Sequence, residues 1–72
     1  MRNDVHVVHR QGLWRVDVEG SGESSRHLNK EAAVAAGRRL GRQLRSELYI
    51  HGLDGRIQER ETYRRDPYPP PG

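Results

Sequence analysis

A small α+β domain is the expected fold, in ββαββ order, with an antiparallel sheet and one helix packed on one of its faces. Three observations predict it. The run Leu13-Trp14-Arg15-Val16-Asp17-Val18 alternates with the two-residue period of a half-buried strand. Asn29-Lys30-Glu31-Ala32-Ala33 opens a capped, alanine-rich helix. A half-buried strand must lay its apolar side on something, and that helix is the only candidate nearby.

Each element follows from its residues. Val5-His6-Val7-Val8-His9-Arg10 is short and β-branched, and Gln11-Gly12 follows it as a two-residue turn. With the alternating run at 13–19 it predicts an antiparallel hairpin. Gly20-Ser21-Gly22-Glu23-Ser24-Ser25 reads as a flexible loop with nothing apolar to anchor it. From 30 to about 46, Ala33, Ala36, Leu40 and Leu44 recur at spacings of three and four, with Val34 on the flank, and so describe one helical stripe. Glu31 sits in the first turn, where the helix dipole favours an acid. Gly37 and Gly41 lie on or beside the stripe, and each costs about 1 kcal/mol relative to alanine in an exposed helix. Close approach of helix to sheet is the expected reason for them. Leu48-Tyr49-Ile50-His51 predicts a third strand and Gly52-Leu53-Asp54-Gly55 a turn. Residues 56–63 predict a fourth strand whose only strongly apolar residue is Ile57, so it belongs at an edge, where charge guards against unwanted pairing. The domain is expected to span 1–63. The segment 64–72 holds all four prolines and is expected to be extended or disordered.

Composition narrows the function. Seventy-two residues allow one domain, and with 32% charged and 32% hydrophobic residues the core must be thin. The chain has no cysteine, which excludes disulfides and thiolate metal sites. A second copy of the chain is therefore an expected source of further burial, giving a homodimer. Absence of cysteine fits a reducing compartment, residues 1–10 contain no continuous apolar run, and no stretch approaches the roughly 20 apolar residues that span a bilayer. A soluble cytoplasmic protein is the expectation. The net charge is +3, but residues 26–45 hold six basic side chains against the single acid Glu31, a local charge of +5. Nearly all of the basic side chains are arginine, whose planar fork suits phosphates and carboxylates.

Period two sorts the strand residues into two faces. Trp14, Val16, Val18, Val5, Val7, Leu48, Ile50 and Ile57 are expected under the helix. The other face then carries His6, Val8, Arg10, Leu13, Arg15, Asp17, Tyr49, His51, Arg56, Gln58 and Arg60. One helix cannot cover two faces, so this second face must meet solvent, a partner chain or a ligand.

Catalytic chemistry finds little support. His6, His9, His27 and His51 show no recognisable metal spacing, and no metal site or cofactor is expected. His27 is expected to support the helix N-terminus, and His51 to end a strand and bond within the glycine-rich turn. Ser21, Ser24 and Ser25 lie in the expected loop, a poor place to hold a nucleophile's geometry. Asp54 between glycines is a turn residue, and Glu59 and Glu61 share one side of the last strand. A non-enzymatic protein is expected. The Pro67-Tyr68-Pro69-Pro70-Pro71 run is expected to be a solubilising or disordered terminus, a reading favoured over that of a ligand for the aromatic groove of a partner.

Several segments resemble the YdaT-like family of small bacterial proteins of unknown function. They are Val7-Val8-His9-Arg10, Gly12-Leu13-Trp14-Arg15-Val16, Ser25-Arg26-His27 leading into Lys30-Glu31-Ala32-Ala33, and Ile50-His51-Gly52 with Asp54-Gly55-Arg56-Ile57. The resemblance implies a stand-alone domain without an assigned activity. Gly12-Leu13-Trp14 and Asn29-Lys30-Glu31-Ala32 are also similar to segments of the arm-binding domains of phage-type integrases. That resemblance implies three strands followed by a helix, with a sheet face laid in the DNA major groove.

The expected function is nucleic-acid binding. Arg10, Arg15, Arg56 and Arg60 on the open face would meet phosphates or base edges, and Tyr49 would stack. Arg38, Arg42 and Arg45, pointing away from the core, would add a second stripe along the helix. The alternative is a protein-interaction or self-assembling module, with Val8, Leu13 and Tyr49 at the centre of a homodimer contact.

Overall fold

The computed structural model describes residues 3–64. It contains five strands and one helix: β1 (Val5–Arg10), β2 (Leu13–Val18), β3 (Ser24–His27), α1 (Lys30–Leu44), β4 (Glu47–His51) and β5 (Ile57–Thr62). The sheet order is β3-β2-β1-β4-β5. β1–β2, β2–β3 and β4–β5 pair antiparallel, whereas β1 and β4 pair in parallel.

The α+β class therefore holds, but the antiparallel ββαββ arrangement is corrected to a mixed βββαββ sheet. Two physical reasons account for the difference. β3 is Ser-Ser-Arg-His, with no apolar residue to display a period, and joins the sheet through its backbone pairing with β2. Gly20 and Gly22, at φ 83° and 78°, turn the chain back onto β2 where a loose loop was expected. Second, α1 carries the chain across the sheet, so the β4–β5 hairpin docks against β1 in the same direction, as helical crossovers allow.

The β1–β2 connection is the expected two-residue turn. Gln11 and Gly12 both take positive φ, 54° and 80°, the combination that matches strand twist in tight hairpins. The proline-rich segment, from 65 onward, lies outside the described residues.

The core lies between the sheet and α1. It comprises Val5, Val7, Trp14, Val16, Val18, Ala33, Leu48 and Ile50, with Val34, Ala36, Leu40 and Tyr63 packed at its margin. A Cβ at Gly37 would stand 2.9 Å from Val7 Cγ2 and 3.1 Å from Leu48 Cδ1, so the helix approaches β1 and β4 as closely as glycine allows. Asn29 caps the helix, its Oδ1 accepting from the Ala32 N–H at 2.8 Å. The helix ends at Arg45, which takes the left-handed conformation at φ 52°.

β5 is an edge strand, but its faces differ from the expected assignment. A bulge between Ile50 and His51 sets Ile57 opposite His51 and Glu59 opposite Ile50. Ile57 is thus on the open face and exposed, while Gln58 turns to the helix side and accepts from Lys30 Nζ at 2.9 Å. Among the described residues, no helix is long and apolar enough to cross a membrane.

Candidate nucleic-acid interface

Among the described residues nothing packs across the sheet face opposite α1. Register assigns its rows. Ser24, Asp17, His6, Tyr49 and Arg60 lie side by side across all five strands. Arg26, Arg15 and Val8 form the next row on β3, β2 and β1, followed by Leu13 and Arg10 beside the β1–β2 turn.

These rows separate the charges. Arg10, Arg15 and Arg26 gather at the β1–β2 turn end, where with Gln11, Leu13 and Ser24 they line a cleft of about 410 Å³. At the far end stand Asp4, Glu19 and Glu47: the Glu19 N–H donates to the Asp4 carbonyl at 2.8 Å and the Glu47 N–H to Asp4 Oδ1 at 3.1 Å. Glu47 also meets Arg64, whose Nη1 lies 3.6 Å from Oε2, so the acids at this end are partly neutralised.

Each expected site residue can now be placed. Arg10 is exposed and has no acidic partner among the described residues. Arg15 is half-buried and held: its Nη2 donates to Asp17 Oδ1 at 3.2 Å and Ser24 Oγ at 3.1 Å, and the Ser24 hydroxyl donates to the same carboxylate oxygen at 2.7 Å. Arg60 belongs to the acidic end, its Nε 3.9 Å from Glu47 Oε1. Arg56 precedes β5, lies in the turn and is 88% exposed; its backbone N–H donates to Asp54 Oδ1 at 3.0 Å. Tyr49 is half-buried, its ring stacked on His6 at 5.0 Å and 20°.

The helix arginines depart furthest from expectation. Arg38 turns toward β5 and grips Glu61 with two nitrogens, Nη2 to Oε2 at 2.7 Å and Nε to Oε1 at 3.0 Å. Arg42 lies over the Tyr63 ring at 5.6 Å. Tyr63 donates its hydroxyl to Glu61 Oε1 at 2.6 Å, so the three side chains fasten α1 to the edge of the sheet. The Arg38 guanidinium, chiefly through its hydrogen bond, holds the Glu61 carboxyl below its usual range, and burial opposes this only in part. The hydrogen bond to Glu61 pushes the Tyr63 phenol up. Of the expected helix stripe only Arg45 is exposed without a partner among the described residues; Arg39, not selected from the sequence, is also exposed.

The residue that sequence reasoning missed is Arg26. It belongs to the strand that was read as loop, and the glycine pair at 20 and 22, taken as tight-turn punctuation, was the available signal.

The histidines divide between the two sides of the sheet. His9 packs on Trp14 at 4.9 Å, and His27, opposite Trp14 in β3, bonds Ser25 Oγ at 2.9 Å, so it does not support the helix N-terminus. His6 and His51 meet on the open face, Nδ1 to Nε2 at 3.2 Å. His51 Nδ1 lies 3.0 Å from the Gly55 carbonyl, which can only accept, so this nitrogen carries the proton. Among the described residues no group of three or more His, Asp or Glu could hold a metal ion.

No curated protein and no solved structure matches the chain. The family model of an uncharacterized protein conserved in bacteria (DUF2188) matches residues 5–63, from the first residue of β1 to the tyrosine that closes β5 against the helix, and the chain belongs to that bacterial family.

Proposed function

We propose that the protein is a non-enzymatic nucleic-acid-binding module, with the β1–β2–β3 end of the open face as its contact surface. The observation that carries this reading is the convergence of Arg10, Arg15 and Arg26 on one cleft, two of them without an acidic partner among the described residues. Arg15 is oriented by Asp17 and Ser24, which lowers the entropy lost when it meets a phosphate. The three strands that carry these residues span about 10 Å, and the major groove of duplex DNA is about 12 Å wide. The order of three strands and then a helix is also the one implied by the likeness to integrase arm-binding domains. The contact is smaller than the sequence suggested: Arg56 and Arg60 lie away from the cleft, and Arg38 and Arg42 are occupied.

Fluorescence anisotropy with a labelled duplex of roughly 20 base pairs, at two salt concentrations, tests the reading; a single strand of the same sequence serves as comparison. Three phosphate contacts should give log K a slope of about −2 to −3 against log salt. Arg10→Ala and Arg26→Ala should each weaken binding several-fold and flatten that slope by about one. No binding to either nucleic acid at low salt would overturn the proposal.

A further inference from the structure

We infer that β3 is a pairing edge and that its occupant is the β3 of a second copy of this chain, in one defined antiparallel register. The Val18 N–H donates to the Glu23 carbonyl at 2.9 Å, so the backbone groups of residues 23, 25 and 27 turn inward to β2. Those of Ser24 and Arg26 turn outward, and all four residues of β3 lie at the margin, only His27 being half-buried. Antiparallel pairing must set outward residues opposite outward residues.

Three two-fold registers satisfy that condition. One sets Arg26 opposite itself, and like charges directly opposite are destabilising. Another extends the ladder into Gly22, whose φ of 78° is not a strand conformation. The third centres on Ser25 and sets Ser24 opposite Arg26 of the second copy, twice, with four backbone hydrogen bonds.

Charge complementarity selects the same register. Within one chain Arg26 faces Arg15 across the β2–β3 ladder, a like-charge pair. In the paired state it faces Ser24 of the second copy, with the Asp17 carboxylate just behind, already bonded to that hydroxyl at 2.7 Å. On the helix side Glu23 stands opposite His27 of the second copy. The edge is short, so the contact belongs with weak and reversible ones. It joins two sheets into one of ten strands, with both helices on one side and both arginine clefts on the other.

The chain has no cysteine, so one introduced thiol reports the register directly. Ser25→Cys places two thiols across the two-fold axis, at a separation that a disulfide accepts. It should oxidise to a covalent dimer at least ten-fold faster than the exposed control Ser21→Cys. Arg26→Pro removes the guanidinium together with an outward N–H and leaves the β2–β3 ladder whole, so added to Ser25→Cys it should abolish that advantage. Arg26→Gln removes the charge alone and should retain part of it. Sedimentation of the unmodified protein should show a mass rising with concentration, reduced to monomer by Arg26→Pro. Equal oxidation rates for Ser25→Cys and Ser21→Cys would overturn the inference. So would a dimer that survives Arg26→Pro but is lost with Ile57→Asp, which would move the contact to the open face.

Discussion

Glycine 37 shows how much one missing side chain does in a core this thin. A methyl group on its Cα would press on Val7 and Leu48, both fully buried, so one of them must shift. Gly37→Ala gains about 1 kcal/mol of helix propensity and loses about 1–3 kcal/mol to overpacking. A net loss of about 1 kcal/mol is expected, lowering the thermal midpoint by about 4–8 °C in a domain of this size. Calorimetry checks it, and a variant as stable as the parent would show that the helix can lift away freely. Gly41 has a different neighbour, the Tyr63 ring at 2.9 Å, so the two glycines make room for different elements. The same scale separates useful arginines from occupied ones. Arg26 and Arg38 are alike in sequence, yet Arg38 is spent on Glu61.

At the scale of elements, the join between α1 and β5 is a polar one. β5 buries little, and the Arg38–Glu61–Tyr63 cluster holds it to the helix. Because Glu61 is more acidic in the folded chain than its ordinary value of 4.5, its ionised form favours folding. That contribution is complete above about pH 4.5 and fades as the pH falls through the depressed folded value. Glu61→Gln should therefore melt below the parent at pH 7, and the two melting temperatures should converge as the pH approaches 3. A gap that stays constant with pH would assign the effect to shape alone. β3, at the other edge, has no such clamp. It is held by backbone pairing and by the Ser24–Asp17–Arg15 bonds, which leaves its outer groups available for the pairing inferred above.

For the whole molecule, β1 and β4 matter most, because their parallel pairing joins two hairpins into one sheet. Leu48 on β4 is fully buried and sits beside Val5 in that pairing. Leu48→Ala should cost about 2–5 kcal/mol, a large share of the roughly 4–10 kcal/mol expected for a domain of this length. Urea unfolding should show the midpoint falling steeply with one cooperative transition, since β1, β2 and β4 share one core with α1. Two separate transitions would mean that the hairpins fold independently. The charge pattern is also a property of the whole. Arg10, Arg15 and Arg26 gather at one end of the open face, while at the other the Glu47 carboxylate is flanked by Arg60 and Arg64.

Local pattern alone was enough for the first hairpin, the capped helix and its glycine contact, and the polar edge at β5, because each is written in period, turn chemistry or capping residues. Those same periods sorted most residues of β1, β2 and β4 onto the correct faces. Tertiary structure decided the rest. β3 forms because β2 offers it a ladder, and a strand without apolar residues carries no period to read. The bulge at Ile50 and His51 reversed Ile57 and Gln58, since one inserted residue flips every side chain beyond it. Which arginines stay available was decided by where the helix and the two edges bring acids, and contact between distant residues leaves no trace in local spacing.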